Sequence, residues 1–444
     1  MAKMPSRAKR TLRISPLAAI AAATAFALAS CSGTAAPGGS VAVPTDAGAV
    51  TGELNILVSS AKGSDAGFKA VNDAFAAKFP NVKVNFTSVP NENYNQARTS
   101  RLTAGSIDVG LAGPKELPSY VPAANMGDDA RLAEAGGFVD LTDQAFMKKF
   151  TPSVLEKIAY KGKNYTVPTG LSYYSGLTYN KKIFADNGLT PPTTWDEFVT
   201  LCEALKAKGI TPISIGGKDT AGIVMLSVVQ SLYPTAQAKQ DLAKSLYENS
   251  ARLDDGKQLE VLQKVEQIYT YAQPNFAGSN YSQMTSEFLT GKAAMISDGT
   301  WNVGSLREAD QVDFGYFPLP ASNNAADNAF LGGKVELTLA VPSNAKNKPA
   351  AMAWLGVFAD NYKAFNEKAG FAPAQVGVEG DPFYTEIEKY TKNFEPAWDT
   401  IWIPNTKAGQ AANLPFNWTA LKPMGQSDAQ AAAVAAQKDW EAGK

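Results

Sequence analysis

Phe288-Leu289-Thr290-Gly291-Lys292-Ala293-Ala294-Met295-Ile296-Ser297-Asp298-Gly299-Thr300-Trp301 is the stretch around which the rest of the chain is arranged. A short helix is expected to end at Gly291, because glycine takes the left-handed cap conformation at little cost, and Ala293 to Ile296 then reads as a small buried strand. The strand stops at Asp298-Gly299, and Trp301 follows at once. A large aromatic on the turn just past a strand end is either a core plug or the floor of a ligand cleft, since cleft residues in open α/β sheets gather there. Residue physics by itself favours the plug, because large aromatics are mostly well buried.

Outward from this stretch, strand and helix periods alternate. Leu54, Ile56 and Val58 form an alternating strand, Phe68, Val71, Phe75 and Phe79 fall at helical spacing up to Pro80, and Val82, Val84 and Phe86 alternate again. Glu92 to Ala104 reads as a helix capped by Gly105, and Ile107 to Leu111 as a short strand. Such alternation calls for a mostly parallel sheet with right-handed crossovers. Ser172 to Phe184 reads as a strand running into a helix. Thr194 and Glu197 stand at capping-box positions before a helix whose apolar face is Phe198, Leu201, Cys202 and Leu205. Val312 to Pro320 is extended, and Gly332-Gly333 precedes a strand at Leu337 to Val341 and a helix at Pro349 to Asp360.

With 444 residues the chain exceeds what one hydrophobic core serves, so at least two packed units are expected. It contains no histidine, which removes the usual general base, proton shuttle and transition-metal ligand and argues against an enzyme without excluding carboxylate chemistry. Lys3, Arg7, Lys9, Arg10 and Arg13 precede an apolar run, Leu17 to Leu28, too short to span a bilayer, and Leu28-Ala29-Ser30-Cys31 follows. This order resembles a bacterial lipobox, which implies that residues 1–30 are a lipoprotein signal peptide and that Cys31 carries the acyl chains; the alternative is an ordinary secretory signal with an incidental Cys31. Residues 31–50 are rich in Gly, Ala, Pro, Ser and Thr and read as a flexible tether. Cleavage before Cys31 would remove five of the 41 Lys+Arg and none of the 42 Asp+Glu, leaving a net charge of about minus six. Nucleic acid is a poor partner for such a chain. Cys202 then has no partner and is expected to be an inert buried thiol.

Several runs in order resemble the extracellular solute-binding proteins (family 1) of ABC importers, in their carbohydrate-binding, maltose-binding-protein-like group. They are Phe79-Pro80-Asn81-Val82-Lys83-Val84, Phe138-Val139-Asp140-Leu141-Thr142, Leu177-Thr178-Tyr179-Asn180-Lys181, Pro192 to Phe198, Gly291 to Met295 with Gly299 and Trp301, and Gly332-Gly333. The resemblance covers most of Leu54 to Gly443. It implies an α/β, two-lobe periplasmic-binding-protein fold of type II, with the ligand cleft between lobes joined by hinge strands near Pro168 and Pro318. The N-terminal lobe would comprise 51–167 and 321–365, and the C-terminal lobe 168–320 and 366–444. It further implies a monomeric, lipid-anchored protein on the extracellular face of the cytoplasmic membrane that captures a sugar or oligosaccharide for the importer's permease subunits, with no catalysis, cofactor or metal.

Carried over position by position, the resemblance makes Trp301 a sugar-stacking tryptophan, Tyr173 a ligand-facing residue at the first hinge, and Lys62 and Asp65 part of a polar loop after the first strand. Tyr174 faces either core or cleft, because neighbours on a strand point oppositely. Trp398 and Trp402, four residues apart, form a second aromatic wall or pack in the core. Lys334 and Glu336 reach the cleft or make a solvated pair. Asn302, Asp298 and Glu92 are further hydroxyl partners. Where many family members carry an aromatic or a charged pair, this chain has Ile107-Asp108-Val109-Gly110-Leu111-Ala112-Gly113-Pro114, so that side of the cleft is expected to be shallow or matched to a different ligand. Competing readings are a secreted glycoside hydrolase using Asp298 and Glu336, whose pair would stand about 5 to 5.5 Å or about 6.5 to 9.5 Å apart, a binding protein for a non-sugar solute, and a surface lipoprotein serving a sensor.

Overall fold

Leu54, Ile56 and Val58 are buried on the expected alternation, but Leu57 between them is buried too. The strand Gly52–Ser59 is therefore covered on both faces, as strands inside an α/β layer are. It pairs in parallel with Val82–Val89 and bridges Val109, while Gly110–Leu111 pairs antiparallel with Leu339–Ala340. The computed structural model describes residues 41–59 and 62–444, without the side chains of Lys62 and Glu92. The signal segment and Cys31 lie outside the described residues. The tether does not extend to Val50 as expected. Val41, Val43 and Ala47 pack on the first core, Val50 is buried, and Gln144 Nε2 donates to the Val41 carbonyl at 3.0 Å. Their apolar side chains have a surface to cover, which composition alone does not reveal.

Two large cores organise the chain. One gathers Leu54, Phe68, Phe75, Val139 and Val167 with Leu339, Trp354, Phe365, Phe371 and Ala374. The other gathers Leu177, Phe198, Leu205, Val228, Ile268, Met295 and Phe317 with Trp398 and Trp440. A smaller third cluster contains Tyr173, Phe288, Ile296, Phe314, Tyr316 and Leu331. Cys202 is fully buried and free, and burial pushes its thiol well above the usual range.

The second sheet runs in the order Thr211–Ser214, Ala293–Ile296, Gly176–Asn180, Phe314–Pro318. Its first pair is parallel, but Gly176–Asn180 opposes both neighbours, so the architecture is mixed α/β and not mostly parallel. The cause lies in the connection. Gly176–Asn180 enters directly from Gly170–Tyr173 without a crossover helix, and the handedness rule for crossovers does not govern it.

Gly170–Tyr173 belongs to a separate three-stranded sheet, antiparallel to Gly332–Glu336, which pairs in parallel with Glu395–Pro396. These strands carry the chain between the two cores. Pro318, expected in a hinge, closes a strand of the second sheet, and the return passage is Gly332–Glu336. Gly333 is required there, since a Cβ would stand 2.4 Å from the Ser172 carbonyl oxygen. Among the described residues no helix is long and apolar enough to cross a membrane.

The capping box read in the sequence forms at the start of the helix Trp195–Ala207: Thr194 accepts from the Glu197 N–H at 3.4 Å, and Glu197 Oε2 accepts from the Thr194 N–H at 3.2 Å. Thr194→Ala should cost about 1 kcal/mol of stability, measured as a shift of the urea midpoint with an unchanged slope.

Candidate functional site

The strand Ala293–Ile296 is buried at every position and delivers Ser297 and Asp298, neither with exposed surface. A carboxylate placed there needs donors. Asp298 receives the Gly299 N–H at 2.8 Å, Asn302 Nδ2 at 2.8 Å, and the Tyr281 hydroxyl at 3.0 and 2.8 Å from its two oxygens. Burial still raises its pKa from 3.8 to about 7, against the pull of those donors. The 3-10 turn Thr300–Asn302 then presents Trp301, which is partly buried and touches both large cores. Its indole N–H donates to the Tyr281 hydroxyl at 3.3 Å. Gly299 lets the ring lie against the backbone, because a Cβ there would be 2.3 Å from it.

Across from Trp301 stands Tyr174, with ring centroids 5.4 Å apart and planes at 43°. Lys334 Nζ lies 5.3 Å from the Trp301 centroid, 5.8 Å from the Tyr174 centroid and 3.2 Å from Glu336 Oε1. Glu336 also accepts from the Ser172 hydroxyl. The Tyr174 hydroxyl donates to Asp399 Oδ1 at 2.8 Å. Burial first, and the adjacent carboxylates next, hold the Tyr174 and Tyr281 phenols well above their ordinary pKa, so both remain donors. Asp399 also borders a cavity of about 240 Å³ whose lining includes Gly113, Lys115, Asn125, Asp129 and Trp402. Lys115 Nζ donates to the Asp399 carbonyl at 3.4 Å.

Six of the expected residues therefore meet: Trp301, Tyr174, Lys334, Glu336, Asp298 and Asn302. Tyr173, expected to face the ligand, faces the third core instead, 6.1 Å from the Phe394 ring, because the strand's alternation sends it away from Tyr174. Burial pushes its phenol up to about 12. Trp398 and Trp402 stack at 5.3 Å and are fully buried in the second core, Trp402 also bordering the cavity. Asp65 lies in the first turn of Lys62–Lys78 and accepts from Ser88 Oγ at 2.7 Å. That helix start meets the start of Val303–Ala309 at the Lys368 and Ala369 carbonyls, which Gly63 and Gly304 both approach. The Lys62 and Glu92 side chains lie outside the described residues. Tyr281, Asp399, Ser172 and Lys115 were not anticipated; only Tyr281 has a local signal, the capping box of Asn280 and Gln283 that sets the start of its helix.

Asp298 has no exposed surface and Glu336 is 4% exposed, and each is engaged by donors. They form a support for the aromatic pair, not an open acid and base. Among the described residues no group of three or more His, Cys, Asp or Glu could hold a metal.

Two α/β cores joined by crossing strands, with an aromatic pair and hydrogen-bonding groups where they meet, define a protein that holds a solute. The chain belongs to the bacterial extracellular solute-binding proteins, whose family model matches residues 59–361. A multiple sugar-binding protein of Streptococcus mutans is 27% identical over 292 residues, 64% of this chain and 66% of that protein. The chain thus spans just under two thirds of that relative's length. An uncharacterized ABC transporter extracellular-binding protein of Pyrococcus horikoshii is 24% identical over 373 residues, 80% of this chain and 79% of that one. Among solved structures, the raffinose complex of the binding protein RafE aligns with a TM-score of 0.72 at 22% identity, covering 88% of this chain and all of that one. A chitin-oligosaccharide-binding protein aligns at 0.68 and 21%, covering 88% and 99%. These alignments establish the two-lobe fold.

The Asp298 shift has a measurable consequence. Between about pH 4 and pH 7 the folded protein binds a proton at Asp298 that the unfolded chain has released, so stability falls as pH rises through this window, by at most about 1.4 kcal/mol per pH unit. Denaturation midpoints from about pH 4 to pH 7 should show this slope, levelling off above about pH 7, and Asp298→Asn should flatten it.

Proposed function

We propose that this protein captures a sugar or oligosaccharide outside the cell and delivers it to the permease of an ABC importer. The observation that carries the reading is the Trp301–Tyr174 pair with Lys334, Glu336 and Asp399 at its margin. A pyranose offers an apolar C–H face to an aromatic ring, while its hydroxyls need planar or charged partners, since an unpaired buried polar group costs about 1 to 3 kcal/mol. The site supplies both kinds of group side by side. Relatives named for sugar binding and neighbours solved with raffinose or named for chitin oligosaccharides support the same class of ligand.

On this reading the lobes meet at the crossing strands. The core memberships favour assigning Leu339 through Ala374 to the N-terminal lobe and the segment around Ala321 to Leu331 to the other. The protein acts as a monomer, tethered through an acylated Cys31 at the outer face of the cytoplasmic membrane. Two or three acyl chains suit stable anchoring, because one chain alone binds reversibly.

Calorimetric titration with a panel of mono- and oligosaccharides should find a binder, and Trp301→Ala should lose tenfold or more of its affinity, at the level of about 1.4 kcal/mol or above, while keeping its melting temperature. Silence across the panel, with heat from amino acids or polyamines, would replace the sugar with another solute; a large melting-temperature drop with unchanged affinity would make Trp301 a core plug. For the anchor, Cys31→Ser should release the protein from the membrane fraction into the medium and abolish labelling by a fatty-acid probe.

A further inference from the structure

We infer that Tyr281 is a positioning residue that sets the Trp301 indole in its binding orientation before any ligand arrives. The inference rests on the reading of Trp301 as the stacking surface.

Two contacts hold the ring, and a third holds its hydrogen-bond partner. Its N–H donates to the Tyr281 hydroxyl, that hydroxyl donates to both oxygens of Asp298, and the ring lies against Gly299. Asp298 also grips the chain on each side of Trp301, through the Gly299 N–H before it and the Asn302 amide after it. Tyr281 is itself fixed. Its N–H donates to Asp219 Oδ2 at 2.6 Å, and the neighbouring Asn280 and Gln283 exchange capping bonds at 2.9 Å. The phenol thus links a rigid helix start to the indole N–H, an atom that the apolar face of a sugar would leave untouched. Locking the side chain in the free protein removes the ordering cost that binding would otherwise carry.

The test begins without ligand. The chain has seven tryptophans, so 5-fluorotryptophan labelling gives a small set of fluorine resonances, and the one missing in Trp301→Phe belongs to Trp301. Tyr281→Phe should shift and broaden that resonance while leaving the others in place; an unmoved resonance overturns the inference whether or not a sugar binds. Amide-type exchange of the indole N–H in the unaltered protein gives a second readout that needs no variant to fold: a Trp301 N–H exchanging as fast as a solvent-exposed one overturns the inference. With a binding sugar in hand, Tyr281→Phe should weaken affinity about three- to tenfold, and that loss should vanish in the Trp301→Ala background. An undiminished loss there would mean that Tyr281 acts elsewhere. Absence of any sugar binding by the unaltered protein would instead defeat the sugar reading and leave the resonance result standing.

Discussion

A carboxylate without exposed surface has to be surrounded by donors, and meeting that demand at Asp298 shapes everything at this site. Leaving such a buried polar group without a partner costs about 1 to 3 kcal/mol, and burial already pushes the Asp298 pKa up to about 7. The strand Ala293–Ile296 can end where it does because the next six residues and a helix start supply the donors. The Tyr316 hydroxyl extends the network, donating to the Asp298 carbonyl at 2.8 Å and accepting the Gly176 N–H at 3.1 Å. The turn that carries Trp301 is thereby tied to the first residue of the strand entering the second sheet. The aromatic is held by polar constraints behind it, which leaves its packing on both cores incomplete and its remaining surface open.

The crossing strands decide what faces it. In their register Ser172 pairs with Lys334 and Gly170 with Glu336, so Ser172, Lys334 and Glu336 fall on one face. Leu171, Tyr173 and Val335 fall on the other and pack into apolar clusters. The Lys334–Glu336 pair is therefore a same-face i, i+2 contact within one strand. Glu336 lies almost wholly inside while Lys334 keeps more than a third of its side chain exposed. A salt bridge on a solvated rim is worth little, but one whose acid is buried and held by a serine fixes the direction of its lysine. That direction carries the ammonium over the two rings.

Much of this was legible in the sequence where local rules operate. The strand at Ala293 to Ile296, the positive-φ Gly291 behind it, the Thr194 capping box and the core role of Cys202 all depend on a few neighbouring residues. The choice between Tyr173 and Tyr174 was not, because alternation fixes only that they differ; which one faces Trp301 depends on the register with Gly332–Glu336, more than 150 residues later in the chain. The mixed sheet was hidden for the same reason, since strand direction follows the long-range crossings and not the local pattern. Asp399 was beyond reach as well, and for Tyr281 the capping box of Asn280 and Gln283 marks only the start of its helix. Neither lies in a motif with its partner, and only the fold brings their hydroxyl and carboxylate to the aromatic pair.

The small apolar segment ahead of Pro114 shows how misleading a local deficit can be. Ala112 is buried and Gly113 offers only a backbone N–H, so the segment alone suggests a bare wall. Yet that N–H donates to Asp129 Oδ2 at 2.7 Å, Asp129 in turn pairs with Arg98, and Lys115 reaches the Asp399 carbonyl from just beyond the proline. Asp399 offers its carboxylate to Tyr174 and its carbonyl to Lys115, which joins the aromatic pair to the cavity lined by Lys115, Asp129 and Trp402. Polar capacity on this side comes from residues flanking the segment instead of within it.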